Sequence, residues 1–185
     1  MKFVFPTAEY EQRAKDFLQE FHDHGSDIHG AGGLARFLEN DDYAGWLANC
    51  MQYIDLANVP EEWVPAITYF YVNENSGEIV GMINIRLALN DFLRKQGGHI
   101  GYSIRPTRRK QGHATNMLRE TLRFCARIGL RDVIITCNKD NLGSAKVIEN
   151  CGGVLQEELY SQAFGCIMQK YIIISDSHIL GNIML

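Results

Sequence analysis

The segment RRKQGHATNML, residues 108–118, places three cations directly before a predicted helix. The first N–H groups of a helix lack partners inside the helix, and the helix dipole makes this end electropositive. Gly112 and Ala114 are small enough to let a bound anion approach the main chain. Arg108, Arg109 and Lys110 add longer-range attraction, so the segment predicts a phosphate-binding turn. A solvated helix start with basic residues is the alternative that these residues alone leave open.

The residues around this turn predict an amphipathic helix between two strands. Met117, Leu118, Leu122 and Cys125 recur at helical spacing, and Gly129 predicts the end of the helix. HIGYSIRP before the turn is predicted to be a strand, and DVIITCN after it a strand buried on both faces. Further upstream, VPAITYFYVN and EIVGMINIRLAL, joined by ENSGE, predict a hairpin. Downstream, the pattern predicts a helix over about residues 143–150 and strands near 153–160 and 164–174.

The region before residue 65 is predicted to be mainly helical. Thr7 is a candidate N-cap for a helix over about residues 8–21, and DDYAGWLANCMQYIDL predicts a second helix after an Asp cap. HDHGSDIHGAGG between them is a loop by composition, and residues 2–5 are a candidate opening strand. The order of elements predicts an α/β or α+β fold in a single domain over residues 1–185, built as a helix–sheet layer arrangement.

Composition narrows the class of protein further. The chain has 185 residues, of which 46% are hydrophobic and 22% charged, as expected for a globular domain with a core of its own. A net charge of −4 argues against a broad nucleic-acid surface. The sequence shows neither a secretory signal nor an apolar run of membrane-spanning length, so we expect a cytoplasmic protein with no membrane partner. The five cysteines lack metal-site spacing and are expected to be reduced thiols.

The turn and its flanking segments resemble the GNAT family of acetyl-CoA-dependent N-acetyltransferases. The stretch IRPTRRKQGHATNML, preceded by GGHIGY and followed by ITCNKDNLGSAKVIENCGG, carries the resemblance, mainly over about residues 65–160. The pyrophosphate motif of that family, Q/R-x-x-G-x-G/A, is matched by Arg109, Gly112 and Ala114. The resemblance implies a mixed, mostly antiparallel central sheet flanked by helices. It also implies acetyl-CoA as the co-substrate, and we expect no metal.

The resemblance assigns the cofactor-binding residues one by one. The main chain of Ser103, Ile104 and Arg105 is expected to pair with the pantetheine arm of acetyl-CoA. The main-chain amides of the turn are expected to hold the pyrophosphate, and they belong to Arg109, Lys110, Gln111, Gly112, His113 and Ala114. Asn138, Asn141 and Ser144 are expected near the pantetheine arm, with Asn141 also a candidate catalytic residue. Asn138 and Asn141 could instead be only turn and cap residues.

The sequence departs from the family at one catalytic position. Many members carry a tyrosine acid seven residues after the asparagine, and this chain has Ile148 there. Tyr102, Tyr160 or water could replace it. For the base that accepts the proton of the amine, the alignment of GGHIGY with the family points to His99, with Glu74 and Asp91 in reserve.

The acceptor is expected to be a primary amine on a small molecule or a peptide, attacking acetyl-CoA directly in a ternary complex. In the family the acceptor enters beside the first two helices. Residues 22–63 combine aromatic side chains with Asp23, Asp27, Glu39, Asp41, Asp42, Glu61 and Glu62, which suits a cationic amine or, equally, a solvated acidic surface. The apolar tail SHILGNIML either packs on the domain or meets a second chain in a homodimer.

Two other functions stay open at the level of the sequence. Because of Ile148, the chain could be a non-catalytic domain that binds acyl-CoA or regulates another protein. The basic turn could also belong to a module that binds nucleotide phosphates.

Overall fold

A computed structural model describes residues 1–175 of the chain. The strands in this part are β1 (Lys2–Val4), β2 (Ala66–Val72), β3 (Ile79–Arg86), β4 (Ile100–Ile104), β5 (Asp132–Asn138), β6 (Val154–Ser161) and β7 (Cys166–Ile174). The helices are α1 (Glu11–Asp23), α2 (Leu34–Leu38), α3 (Tyr43–Gln52), α4 (Asp91–Gln96), α5 (His113–Arg127) and α6 (Leu142–Asn150). The apolar tail SHILGNIML lies outside the described residues.

The chain divides into two compact units. The first consists of Met1–Ala88 with Gly101–Ala114, and the second of Leu89–Ile100 with the described part of Thr115–Leu185. The first unit holds a four-stranded sheet in the order β1-β2-β3-β4, and the second a three-stranded sheet in the order β5-β7-β6. The α/β class with antiparallel sheets and helices is therefore confirmed. That both units form one domain stays a prediction.

The core of the first unit is aromatic. Phe17 and Phe21 of α1 are buried because they recur on one face of the helix, and they pack with Trp46 of α3 and Phe70 of β2 in a single cluster. The hairpin of β2 and β3 aligns Phe70 with Met82, and β1 extends the sheet on the other side of β2. β4 pairs only with β3 and forms an edge of this sheet.

The second unit is built on β7, which pairs antiparallel with both β5 and β6. In β5, Val133, Ile135 and Cys137 are buried while the residues between them are half-buried. The prediction that both faces of this strand are buried was therefore wrong for one face. α6 packs on β5 and α4 packs on β7.

Helix prediction was correct for the long helices and missed the short ones. Asp42 caps α3 by accepting a hydrogen bond from Gly45 N–H at 2.8 Å, as predicted. Thr7 makes no capping bond, and a 3₁₀ turn over Ala8–Tyr10 precedes α1. α2 and α4, with five and six residues, were not predicted because helices this short carry little periodic signal.

The glycine-rich loop before α2 contacts β4 at one position where only glycine can stand. Gly30 has φ +70°, and a Cβ on it would lie 2.0 Å from the carbonyl oxygen of Gly101. Gly33 has φ +82° with nothing within 4 Å of its Cβ position.

We expect Gly30→Ala to destabilise the protein much more than Gly33→Ala. A left-handed backbone costs an alanine about 1–2 kcal/mol at either position, and only Gly30→Ala adds a clash with main-chain atoms. Urea unfolding of both variants measures the difference. Equal losses of unfolding free energy would show that the loop does not hold its contact with β4 in solution.

Candidate functional site

The turn between β4 and α5 has a left-handed backbone at two positions. A 3₁₀ turn over Pro106–Arg108 follows β4, and α5 begins at His113. Between them Lys110 has φ +59° and Gly112 has φ +80°. The conformation at Gly112 favours glycine, because a side chain there is strained. Gly112 is the glycine at the centre of the pyrophosphate motif that the sequence analysis identified.

The turn leaves its main-chain donors open on one side. Within residues 1–175, the N–H groups of Lys110 and Gly112 donate to no acceptor. Apart from the two chain neighbours of Gly112, no atom of residues 1–175 lies within 4 Å of the position of a Cβ on this glycine. Unpaired amides at the start of a helix, beside open space, are what an anionic group requires.

Three of the four cations in the turn are already bound to protein groups. Arg105 Nη1 donates to Glu20 Oε2 at 2.8 Å, and Arg105 Nε donates to the carbonyl oxygen of Ile79. Arg108 Nη2 lies 2.9 Å from Glu78 Oε2. These two arginines are neutralised by carboxylates of the same unit.

Arg109 is also bound to protein groups, whereas Lys110 is not. The Arg109 guanidinium donates to the carbonyl oxygen of Ile104 at 3.1 Å and to Ser26 Oγ at 2.8 Å, and it lies over the ring of Phe21. Lys110 makes neither an ion pair nor a hydrogen bond with any group in the described chain. Its ammonium is therefore the cation of this turn that is available to a ligand.

Glu20 of α1 binds the turn through both carboxylate oxygens. Oε1 accepts from the N–H and the hydroxyl of Thr107 at 2.9 and 2.8 Å, and Oε2 accepts from Arg105. Burial alone disfavours the ionised carboxylate, but the bonds from Thr107 and the charge of Arg105 outweigh it and hold the pKa of Glu20 below its ordinary value.

Ser103 in β4 uses its side chain to hold the glycine-rich loop. Its buried hydroxyl donates to the carbonyl oxygen of His29 at 2.8 Å and accepts from His29 N–H at 2.7 Å. The side chain of Ser103 is thus committed inside the protein. Any contact of Ser103 with a cofactor falls to its main chain, as the sequence predicted.

In the second unit, Asn138 and Asn141 shape the chain between β5 and α6. Asn138 Oδ1 accepts from Asp140 N–H at 2.9 Å, and Asn141 Oδ1 accepts from Ser144 N–H at 3.0 Å as the N-cap of α6. The turn and cap roles considered from the sequence are therefore present. Both use the amide oxygen, and the two NH₂ groups donate to no atom of residues 1–175.

His99 is buried in the second unit and bound to β5 by main chain and side chain. Its N–H donates to the carbonyl oxygen of Ile134 at 2.7 Å, and its Nδ1 accepts from Ile134 N–H at 2.9 Å. A neutral imidazole that accepts at Nδ1 carries its own hydrogen on Nε2. The lone pair that a base needs is then engaged with Ile134, so the geometry favours a structural role for His99.

Four cysteine thiols are poor nucleophiles because of burial. Burial raises the pKa of Cys137 to about 11, partly offset by a hydrogen bond from Ser144, and raises the pKa of Cys151 to about 11. Burial likewise raises the pKa of Cys50 and Cys125 to about 12. All five cysteines are free thiols, and within residues 1–175 no group of three His, Cys, Asp or Glu side chains could hold a metal.

The family model for the acetyltransferase (GNAT) domain matches residues 13–154. The chain belongs to the GNAT acetyltransferase family. No curated protein sequence matches it. No helix among the described residues is long and apolar enough to cross a membrane.

Solved structures of acetyltransferases share the fold at low sequence identity. The ribosomal-protein-S5-alanine acetyltransferase of Vibrio fischeri matches with a TM-score of 0.68 and 18% identity, covering 95% of this chain and 93% of its own. The ribosomal L7/L12 α-N-protein acetyltransferase in complex with coenzyme A has a TM-score of 0.69 and 15% identity, over 93% and 92% of the two chains. The microcin C7 self-immunity acetyltransferase in complex with acetyl-CoA and AMP has a TM-score of 0.67 and 16% identity, over 93% and 91%.

Ile148 stands where the resemblance places the tyrosine acid of the family. Ile148 is fully buried, and a Cβ on Gly153 would lie 2.4 Å from Ile148 Cγ2. A tyrosine at this position would have to enter a packed core, which costs stability. Restoring the usual acid by Ile148→Tyr is therefore not a simple exchange of side chains.

The residues that sequence reasoning missed bind the turn from elsewhere in the first unit. They are Glu20 on α1, Glu78 before β3 and Ser26 of the glycine-rich loop, while His29 of the same loop was also missed and binds Ser103 in β4. Of these residues, only Glu20 could have been identified from the sequence, because it lies on the same face of α1 as the buried Phe17 and Phe21. An acid on a buried helix face requires a partner, but the partner is 85 residues away in sequence.

The acidic region before β2 divides into core and surface. Trp46 and Tyr43 are buried, so they belong to the core. Trp63 is 50% exposed, with Arg36 over its ring at 5.9 Å. Asp23, Asp27, Glu39, Glu61 and Glu62 are exposed, while Asp41 binds Lys15 and Asp42 caps α3.

We expect His99→Ala to lower the unfolding free energy by about 1–3 kcal/mol, since it leaves Ile134 N–H without its acceptor. His99→Gln should lose less, because its amide oxygen can accept the same bond. Urea unfolding tests stability, and the pH profile of kcat/KM tests the role of base. Loss of the acidic limb in both variants at unchanged stability would assign the base to His99 after all.

Proposed function

We propose that this protein transfers the acetyl group of acetyl-CoA to a primary amine by direct attack in a ternary complex. The observation that carries the proposal is the open turn before α5, with unpaired amides at Lys110 and Gly112 and an unengaged lysine. Acetyl-CoA supplies an activated thioester, at which a C–N bond forms as the C–S bond breaks and the CoA thiolate leaves.

The turn has the features that a pyrophosphate needs. The amides from Lys110 to Ala114 would hold its oxygens, and the ammonium of Lys110 would supply positive charge. The amide of Arg109, included in the prediction from the sequence, already donates to the carbonyl oxygen of Pro106. The Arg109 side chain supports the turn, because its guanidinium donates to the carbonyl oxygen of Ile104 and to Ser26 Oγ. The left-handed backbone at Gly112 keeps the approach free of side chains.

The strand β4 suits the pantetheine arm. It lies at an edge of its sheet, so the outward main-chain groups of Ser103 or Ile104 can pair with an added extended chain. The main chain of Arg105 is already engaged, because its N–H donates to Val80 O and its carbonyl oxygen accepts from Arg108 N–H. The amide NH₂ groups of Asn138 and Asn141 are free for hydrogen bonds to the cofactor or the amine, because capping uses only their oxygens. Ser144, half-buried beside them, completes this set.

The state of the thiols supports direct attack over a covalent acyl-cysteine route. A thiolate is the nucleophilic form of cysteine, and the raised pKa values of Cys50, Cys125, Cys137 and Cys151 keep those four thiols protonated at neutral pH. In the proposed reaction the amine itself, and none of these four thiols, is the attacking nucleophile.

The amine must lose a proton to react. Deprotonating an alkylamine at pH 7 costs about 4–5 kcal/mol of the barrier, which a base recovers in part. The acceptor nitrogen of His99 is bound to Ile134 N–H, which disfavours this residue as the base. Glu74 binds the Met1 amino group through Oε1 alone, so its exposed carboxylate keeps acceptor capacity. Glu74, Asp91 at the exposed start of α4, or water are the remaining routes of those considered.

The acceptor is proposed to be cationic apart from its reacting amine. The exposed acids of residues 23–62 and the exposed face of Trp63 suit such a partner. Because two structural neighbours are named for ribosomal proteins, peptides with a free N-terminus come first in an acceptor panel, followed by polyamines, amino acids and aminoglycosides.

A thiol-release assay with acetyl-CoA and this panel tests the proposal. Release of CoA that depends on one class of amine, with the acetylated amine found by mass spectrometry, supports it. Binding of CoA without release for any amine would favour the non-catalytic alternative. Protection against heat by ATP and not by CoA would favour a module for nucleotide phosphates.

We expect CoA to stabilise the wild-type protein by about 2.7 kcal/mol at 100 times its dissociation constant. Gly112→Asp should abolish this stabilisation, because it places a side chain and a negative charge in the open space of the turn. Gly112→Ala is the matched control, with the same backbone strain and no charge. Thermal shift with and without CoA measures both. An undiminished shift in Gly112→Asp would remove the cofactor from this turn.

We expect Asn141→Ser to keep the α6 cap but lose the NH₂ donor, and Asn141→Ala to lose both. Asn141→Ala should cost about 1 kcal/mol of stability, while both variants should lose about tenfold in kcat/KM. If Asn141→Ser has wild-type turnover, Asn141 is a cap residue and not a catalytic one.

A further inference from the structure

We propose that Glu20 is a positioning residue for acetyl-CoA, holding the turn over Arg105–Ala114 in the conformation that presents its amides to phosphate. The inference rests on the proposed function, since it assigns a role in the same cofactor site. Within the described residues, the carboxylate of Glu20 accepts hydrogen bonds from Arg105 and Thr107.

One face of α1 carries the side chains that contact the turn. Phe17, Glu20 and Phe21 lie on one side of the helix, at spacings of three and four residues. The Arg105 guanidinium lies over Phe17 at 5.6 Å and that of Arg109 over Phe21 at 5.3 Å. Glu20 stands between the two rings in sequence and takes the polar contacts.

The turn has few bonds of its own that could fix its shape. Its internal main-chain bonds run from Arg108 N–H to Arg105 O and from Arg109 N–H to Pro106 O, the second at 3.3 Å. Beyond them the backbone at Lys110 is left-handed, which is unfavourable for a residue other than glycine. A strained conformation persists only when its surroundings hold it, and Glu20 binds the turn at Thr107, three residues before Lys110.

Glu20 is well suited to hold the turn because it is largely removed from water. Its side chain is 16% exposed and that of Arg105 is 12% exposed. An ion pair at this depth is held more firmly than one in solvent, and its carboxylate also satisfies the N–H of Thr107. Removing the charge leaves Arg105 with only its longer ion pair to Glu78, at 3.9 Å, and weakens the hold on Thr107.

The sign of the effect on CoA binding separates positioning from simple electrostatics. A carboxylate near a phosphate site repels the ligand, so Glu20→Gln should tighten CoA binding if charge alone matters. If Glu20 positions the turn, the same change weakens binding, because the amides lose their arrangement. The two explanations therefore predict opposite changes from one substitution.

The experiment is calorimetric titration of CoA into wild type, Glu20→Gln and Glu11→Gln at low and moderate salt. Glu11→Gln is the matched control, because it removes the same charge from the same helix at an exposed residue paired with Lys15. We expect Glu20→Gln to raise the dissociation constant about tenfold or more, and Glu11→Gln to leave it within about twofold.

Thr107→Val provides a second variant, with the hydroxyl contact removed and the N–H contact kept. It should weaken CoA binding by a smaller factor than Glu20→Gln, and it keeps the test decisive if Glu20→Gln does not fold. Unfolding of each apo variant in urea shows whether a change in affinity accompanies a folded protein.

Unchanged or tighter CoA binding in folded Glu20→Gln overturns the positioning role. If Glu20→Gln does not fold, unchanged binding in Thr107→Val overturns it. Failure of the wild-type protein to bind CoA would be a different result, because it rejects the cofactor site itself. The wild-type titration therefore distinguishes failure of the proposed function from failure of the role of Glu20.

Discussion

The unpaired main-chain amides at the turn before α5 set the central constraint on this structure. The first unit must hold a strained turn in place without using the donors that give the turn its chemistry. The structure meets this constraint from outside the turn. The carboxylate of Glu20, the rings of Phe17 and Phe21, and the hydroxyl of Ser26 all act on side chains or on residues before Lys110. The amides of Lys110 and Gly112 are left open.

The contacts of the turn with the rest of the first unit also explain why a turn with many basic residues need not be a broad anion-binding surface. Arg105 and Arg108 carry charge in the sequence, but Glu20 and Glu78 neutralise them in the fold. Arg109 is engaged with Ile104 and Ser26 and serves as a support. Among the described residues, this leaves Lys110 as the unengaged cation of the turn beside directed main-chain donors, an arrangement suited to a phosphate group by geometry more than by total charge.

The second unit shows how a residue can be structural and remain available for chemistry. An asparagine has an acceptor and two donors, and capping α6 occupies only the acceptor of Asn141. His99 shows the opposite case. A neutral imidazole has a single acceptor nitrogen, and Ile134 N–H engages it, so the residue that the family alignment proposed as a base is held in a structural bond.

The sequence by itself determined the long elements and the position of the turn, because these depend on local periodicity and on Gly112. α1, α3, α5, α6 and all seven strands follow from patterns within a few residues. Only the tertiary structure decided which charges are free. Glu20 and Arg105 are 85 residues apart, and His99 and Ile134 are 35 apart. No local pattern reports such pairings, since the chain brings them together only when the core around Phe17 and the strand β5 have formed.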